Sequence, residues 1–167
     1  ADAEANLAFL YQQGAGVRIS WTGSQKYGFV IREVDKGTSW NSLQAAVAQD
    51  MSIRTIGYPF VETDMIGGSS GQPAPTKEVL VRWAQTASYM PLMYASTSPV
   101  GFDEETVRLY REATQLHDRL TPYLLKQRDR ALATGEPIMK PLFFDAAQDQ
   151  RAYTVDDEWL LGDAATI

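Results

Sequence analysis

The chain has no cysteine. A disulfide framework and a thiol nucleophile are therefore excluded, and a thiolate zinc site with them. Histidine is nearly as scarce. His117 is the only one and lies in a charged, helix-patterned segment, so a Ser-His-Asp relay would have to be built on a poorly placed base. Positive charge is also short: 15 Lys+Arg stand against 21 Asp+Glu, for a formal net charge of −6. With no basic block, nucleic acid is a poor partner, because phosphate neutralisation dominates its binding. No apolar run approaches the roughly 18 residues of a membrane span, and Ala1-Asp2-Ala3-Glu4 is too acidic and polar for a signal peptide. Neither an internal repeat nor a low-complexity tract is visible. What is present, 44% hydrophobic and 11% aromatic residues over 167 positions, suffices for a packed core, with one domain as the default.

The local pattern alternates strands and helices. A helix is expected over residues 2–13, with Leu7, Leu10 and Tyr11 on one side and Gly14 as its stop. Val17 to Trp21 reads as a strand, 22–25 as a loop, and Tyr27 to Val34 as a second strand ending at Asp35. Thr38 or Ser39 caps a helix over 40–53, closed by Gly57, and 58–61 has the short apolar texture of a buried parallel strand. A Gly/Ser/Pro-rich loop over 67–75 leads to a helix capped by Thr76, with Val79, Leu80, Trp83, Ala84 and Ala87 in one stripe. Met90 to Tyr94 is a further short strand. Asp103 opens a long helix with Glu104 and Glu105 in its dipole-favoured first turn. Pro122 is expected to kink or break that helix near Thr121, and Gly135 to end it. Beyond Pro137 the texture changes to strand-like runs, 138–144 and 159–162, with no helix between them.

Strand–helix alternation up to residue 135 predicts a parallel sheet. Two of its strands end in the same way: Arg32-Glu33-Val34-Asp35 and Glu62-Thr63-Asp64 each close a β-like run on an aspartate, break into a loop and pass into a helix. Carboxylates at the C-terminal ends of successive strands are how a (β/α) barrel builds an active site, so function is sought at Asp35 and Asp64. Only three or four βα units are present, fewer than close an eight-stranded barrel.

The motifs that run through the chain resemble the second half of the catalytic barrel of glycoside hydrolase family 31. Arg18-Ile19-Ser20-Trp21-Thr22-Gly23-Ser24-Gln25-Lys26-Tyr27 looks like the family's Arg-Ser-x-Phe-Ala-Gly-x-Gln-Arg-Tyr. Asp35 to Trp40 has the spacing of Gly-Asp-Asn-x-x-x-Trp, and Pro59-Phe60 through Asp64 to Gly67 follows Pro-Phe-x-Gly-x-Asp-x-x-Gly. Arg82-Trp83, Pro122-Tyr123-Leu124, Gly135 to Leu142 (with Lys140 for Arg) and Leu160-Leu161-Gly162-Asp163 complete seven matches in order. Two places depart from the pattern. The family's Trp-x-Gly before the acid/base aspartate is Arg32-Glu33-Val34, and its later Arg-x-His is Tyr94-Ala95-Ser96. These departures are similar to the branch of myogenesis-regulating glycosidases and their bacterial and invertebrate relatives, which acts on α-galactosides.

The resemblance implies a fold, a partial (β/α)8 TIM barrel over residues 1–135 followed by the start of a β-sandwich over 136–167, and a chemistry. A retaining α-glycosidase uses one carboxylate as nucleophile and a second as acid and then base. Asp35 takes the acid/base role. Arg18 and Asp64 hold sugar hydroxyls and Tyr94 and Ser96 line the specificity wall; Trp21 has a ring face that suits sugar stacking, with core packing as the preferred reading. The nucleophile falls on an earlier strand than Arg18 in the family, and nothing upstream of Arg18 here fits it. It is therefore expected from the remainder of the enzyme or from a second chain. An α-galactoside is the expected substrate, and neither metal nor organic cofactor is implied. An α-glucosidase or α-xylosidase, or a non-catalytic sugar-binding homologue, are the alternatives. Plainer readings stand beside each residue: a turn or cap aspartate for Asp35, a salt bridge for Arg18, a turn residue for Asp64, structural pairing for Glu33 and Glu62, barrel packing for Trp83 with an ion pair for Arg82, and surface packing for His117.

Overall fold

Parallel pairing of three short strands organises the first half of the molecule. The computed structural model describes residues 16–163 and 165–166; the helix expected over residues 2–13, with Gly14 as its stop, lies outside the described residues. Strands β1 (Gly16–Val17), β2 (Val30–Arg32) and β3 (Phe60–Glu62) form one sheet in that order, parallel throughout. Val17 pairs with Ile31, Ile31 with Val61, and Arg32 with Glu62. The register brings the residues after each strand, 18 onward, 33 onward and 63 onward, to a single edge of the sheet.

The strands are shorter than the sequence predicts. Arg18 to Trp21 and Tyr27 to Phe29 are not strand. Between them Ser24–Tyr27 forms a 3-10 turn, bracketed by Gly23 and Gly28 at positive φ. The Ser24 hydroxyl donates to the Trp21 carbonyl at 2.7 Å and contacts the Tyr58 hydroxyl at 2.9 Å. These side-chain bonds replace ladder bonds in this segment.

The helices follow their caps closely. Ser39 accepts from the Ser42 N–H to open α1 (Trp40–Thr55), Thr76 from Val79 N–H to open α2 (Lys77–Ala87), and Asp103 from Thr106 N–H to open α3 (Glu104–Thr134). Gly135, at φ 78°, ends α3. The break expected at Pro122 does not occur, since α3 runs through it. The proline deletes one donor of the helix ladder, but Ala113, Leu124 and Ala131 on either side are fixed in the main core and keep the helix continuous through the gap in its ladder. That core joins Leu43, Ala46 and Val47 of α1 to Val79, Leu80, Trp83, Ala84 and Ala87 of α2 and to the inner face of α3. Trp83 is fully buried and its indole N–H reaches Thr63 Oγ1 at 3.4 Å, as barrel packing requires. Arg82 is exposed and donates to the Gln85 side chain at 3.0 Å. His117 is half-buried, with Nδ1 3.1 Å from the Ser88 carbonyl oxygen.

Met90 to Tyr94 does not form a strand; one parallel bridge joins Ile66 to Ala95, with Ile66 N–H donating to the Tyr94 carbonyl at 2.8 Å. Among the described residues the parallel sheet is thus an arc of three strands and not a closed barrel. After α3 a separate antiparallel sheet forms from β4 (Met139–Lys140), β5 (Leu160–Leu161) and β6 (Ala165–Thr166). The run expected as a strand over 138–144 stops at Lys140, because Pro141 has no N–H to give and Leu142–Phe144 turns into a 3-10 helix.

One buried ion pair ties these parts together. Arg54 Nε and Nη2 donate to Asp50 at 2.8 and 3.0 Å, its Nη1 to the Pro59 carbonyl at 3.1 Å and its Nη2 to the Val61 carbonyl at 2.9 Å. Both side chains are wholly buried, so α1 is locked to β3. Arg54→Met strands the Asp50 carboxylate in the interior and is expected to cost about 3–5 kcal/mol in denaturant unfolding. The double change Asp50→Leu/Arg54→Met costs less than the single one, because no charge is then left unpaired.

Candidate active site

Each strand of the arc delivers a charged residue to the same edge. Arg18 directly follows β1, Arg32 is the last residue of β2 with Asp35 three beyond it, and Asp64 lies two past β3. The side chains converge. Arg32 reaches across the edge as a fork, its Nη1 donating to Asp35 Oδ1 at 3.0 Å and its Nη2 to Asp64 Oδ1 at 2.9 Å. Arg18 Nη2 donates to the same Asp35 Oδ1. A single guanidinium therefore links the two aspartates, and a second closes on Asp35 from β1.

The two carboxylates sit in opposite environments. Asp64 has no exposed surface, whereas the Asp35 side chain is 51% exposed. A buried carboxylate needs donors on its lone pairs. Asp64 receives Arg32 Nη2, the backbone N–H of Lys36 and the Ser69 hydroxyl, the last at 3.1 Å. The loop after β2 is thereby pinned to the loop after β3. Ser69 N–H donates back to the Lys36 carbonyl at 3.0 Å. Gly68 lies at φ 86°, where a Cβ would collide with the Gly37 carbonyl oxygen, so this crossing of two loops requires glycine.

The remaining predicted residues fall into two groups. Tyr94 lies against Arg32, with the guanidinium carbon 5.6 Å from its ring centroid, and is 42% exposed. Ser96 donates its hydroxyl to the Gly68 carbonyl and so joins the same crossing. Trp21 is the one without a contact in this cluster. Its side chain is 58% exposed, not packed in the core, while its carbonyl accepts from Ser24 and Tyr58.

Arg32 is the residue that the sequence reading passed over. The signal was present, since Arg32 replaces an aromatic in the motif it resembles, but replacement alone does not say that the side chain turns along the sheet edge. Glu62, opposite it in register, is buried; burial raises its carboxyl above the usual range, with Arg32 pulling it down and Asp64 pushing it up. Glu33 is buried at 1% exposure. Its Oε2 accepts from Lys36 Nζ at 2.9 Å, while its Oε1 has no partner among the described residues. Lys36 Nζ also donates to the Val34 carbonyl and to Gln49, which fastens the Asp35 loop to α1. No group of three or more His, Cys, Asp or Glu side chains among the described residues is arranged to hold a metal ion.

Two deeper grooves lie apart from the cluster. One of about 420 Å3 sits against the opposite, N-terminal ends of β2 and β3, lined by Val30, Phe60, Leu92, Leu125, Leu132 and Ile138. The other, about 540 Å3, runs between α1, α2 and the 156–159 segment.

Parallel strands that end together in linked carboxylates and guanidiniums define a segment of a (β/α)-barrel enzyme class whose chemistry sits at the C-terminal strand ends. The chain belongs to the glycosyl hydrolases family 31, whose TIM-barrel domain matches residues 15–127. The myogenesis-regulating glycosidase of Mus musculus is 31% identical over 166 residues, covering 92% of this chain and 23% of that protein. The 1,3-alpha-isomaltosidase of Kribbella flavida is 29% identical over 167 residues, covering 90% and 23%. Among solved structures, the cycloalternan-degrading enzyme from Trueperella pyogenes superposes with a TM-score of 0.86 at 26% identity, covering 99% of this chain and 26% of that one. The chain thus spans about a quarter of the length of the relatives it matches.

Glu33 makes the loop sensitive to pH. Burial pushes its carboxyl from 4.5 up to about 8, against the pull of Lys36. The folded state then holds a proton that the unfolded chain has released, so stability falls as pH rises through that interval and levels off above it. Thermal melts from about pH 5 to about pH 8 should show this decline. In Glu33→Gln, which keeps a neutral side chain throughout, the decline should be smaller.

Proposed function

We propose that this chain carries the acid/base half of the active site of a retaining α-glycoside hydrolase acting on α-galactosides. The observation that supports this most directly is the guanidinium fork of Arg32, which joins Asp35 to Asp64 on one strand edge while leaving the Asp35 side chain half exposed. Of the two carboxylates only Asp35 is open to a ligand; Asp64 is enclosed and already accepts three donors. In this reading Asp35 gives its proton to the glycosidic oxygen as the C–O bond breaks, and a carboxylate from outside these residues takes the anomeric carbon as a covalent ester. Asp35 then accepts a proton from the water that releases the sugar with its configuration retained. Arg18, 55% exposed, is placed to trade its bond to Asp35 for sugar hydroxyls. Asp64, enclosed, orders the crossing of the two loops that carry Asp35 and Ser69. Tyr94 and Ser96 form the wall that sets the sugar, and Trp21 offers an exposed ring face beyond it.

Residues 1–135 belong in this proposal to the barrel, and residues 136–167 to the start of a β-sandwich. The switch from parallel to antiparallel pairing at β4 supports that boundary. The galactoside reading rests on Tyr94 and Ser96 standing where the family pattern has Arg-x-His. A glucoside reading is favoured instead by the isomaltosidase relative and by the neutral alpha-glucosidase C of Mus musculus, 31% identical over 157 residues. Assay of the full-length protein with p-nitrophenyl α-galactoside and α-glucoside separates the two. Hydrolysis of the galactoside with retention, read by proton NMR of the first-formed sugar, is the expected result. Asp35→Asn should lower turnover of a methyl glycoside by about 100-fold or more. If the protein is active and that variant is not impaired, Asp35 is not the acid/base. A protein that binds galactosides and cleaves nothing would instead be a sugar-binding homologue.

A further inference from the structure

We infer that Arg32 is the positioning residue that aims Asp35 at the leaving-group oxygen, and that it does so as one half of an exchanged cation–aromatic pair with Tyr94. This rests on the glycosidase reading above and adds to it a role for a residue outside the family pattern.

Three observations meet at Arg32. First, its planar fork spends one nitrogen on each aspartate, at 3.0 Å to Asp35 and 2.9 Å to Asp64. Asp64 is immobile, with no exposed surface and two further donors from Lys36 and Ser69. A rigid guanidinium between a fixed carboxylate and a half-exposed one transfers the position of the first to the second. Asp35 has no comparable anchor of its own: its other ion-pair partner, Arg18, is itself 55% exposed. Second, the Arg32 side chain is only 13% exposed and lies against the Tyr94 ring, so it is supported on its open side. Third, each of the two departures of this chain from the family pattern includes one of these touching residues. An aromatic is replaced by arginine at 32, and an arginine by an aromatic at 94. Against that pattern a cation and an aromatic are exchanged between positions 32 and 94, and in this chain the two residues touch.

The consequence is specific to acid catalysis. A tryptophan at position 32 has one N–H and could not bridge two carboxylates, whereas arginine there orients one against the other. Loss of the fork should therefore slow cleavage in proportion to how much the leaving group needs a proton. A methyl glycoside needs protonation; a glycosyl fluoride leaves without help from a placed general acid. A residue that merely stabilises the fold affects both substrates alike.

The test compares the full-length protein with Arg32→Met, Arg32→Lys, Arg32→Trp and the exchange Arg32→Trp/Tyr94→Arg, on methyl α-galactoside and α-galactosyl fluoride and on the corresponding glucosides. Thermal melts confirm folding. For whichever sugar the wild type cleaves, Arg32→Met is expected to lose about 100-fold in kcat/KM on the methyl glycoside and only a few-fold on the fluoride. Arg32→Lys, a point charge without a fork, is expected to recover a minor part of the loss. The double exchange is expected to exceed Arg32→Trp alone on the methyl glycoside, because the guanidinium is then supplied from position 94. Equal losses on both leaving groups, or no loss in a folded Arg32→Met protein, overturn the inference and leave the glycosidase reading intact. A wild type inactive on all four substrates overturns that reading instead.

Discussion

The carboxylate of Asp64 is the constraint around which this half of the molecule is arranged. It is wholly enclosed, and an enclosed carboxylate must be met by hydrogen-bond donors from whatever surrounds it. Here they come from three segments: the guanidinium at the end of β2, the backbone N–H of Lys36 in the loop that follows, and the hydroxyl of Ser69 beyond β3. Satisfying one side chain therefore fixes where two loops cross, and the crossing leaves room for nothing larger than glycine at Gly68. The exposed aspartate, Asp35, is positioned as a consequence, through the arginine it shares with Asp64.

Neutralisation at this edge is local. Arg18 and Arg32 face Asp35, Asp64 and Glu62, while Lys36 answers Glu33 one layer further in. The chain as a whole is acidic, yet the enclosed carboxylates of Asp64 and Glu33 each have a cation in contact. Burial raises the carboxyls of Glu33 and Glu62, so they bind a proton more tightly than an ordinary glutamate does. Separating the proton affinities of neighbouring carboxylates is a precondition for using them in different roles.

Much of the frame was legible in one dimension. Caps at Ser39, Thr76 and Asp103 and the glycine stop at Gly135 place three helices, because each depends on a bond between a side chain and a backbone group two or three residues away. The parallel arrangement followed from alternation of element types. Strand lengths did not follow, since the run from Tyr27 to Phe29 has strand-like composition but Ser24, Tyr58 and two glycines bend the chain before it can pair. Pro122 misled in the opposite direction. Its local penalty is real, but contacts of Ala113, Leu124 and Ala131 with distant elements outweigh it. Met90 to Tyr94, apolar enough for a strand, contributes one bridge to the sheet and its Tyr94 ring to Arg32.

The sequence by itself determined that acidic residues would end two neighbouring strands and that those ends would share an edge, because residue spacing and parallel register are properties of order along the chain. It also determined membership of a glycosidase family through motifs in fixed succession. Only the tertiary structure decided which aspartate would be enclosed and which open, that Arg32 would turn along the edge to join them, and that Tyr94 would come to rest against it. Those outcomes depend on directions of side chains brought together from more than thirty residues apart, and no local pattern encodes the direction a long, flexible side chain takes when it meets its partner.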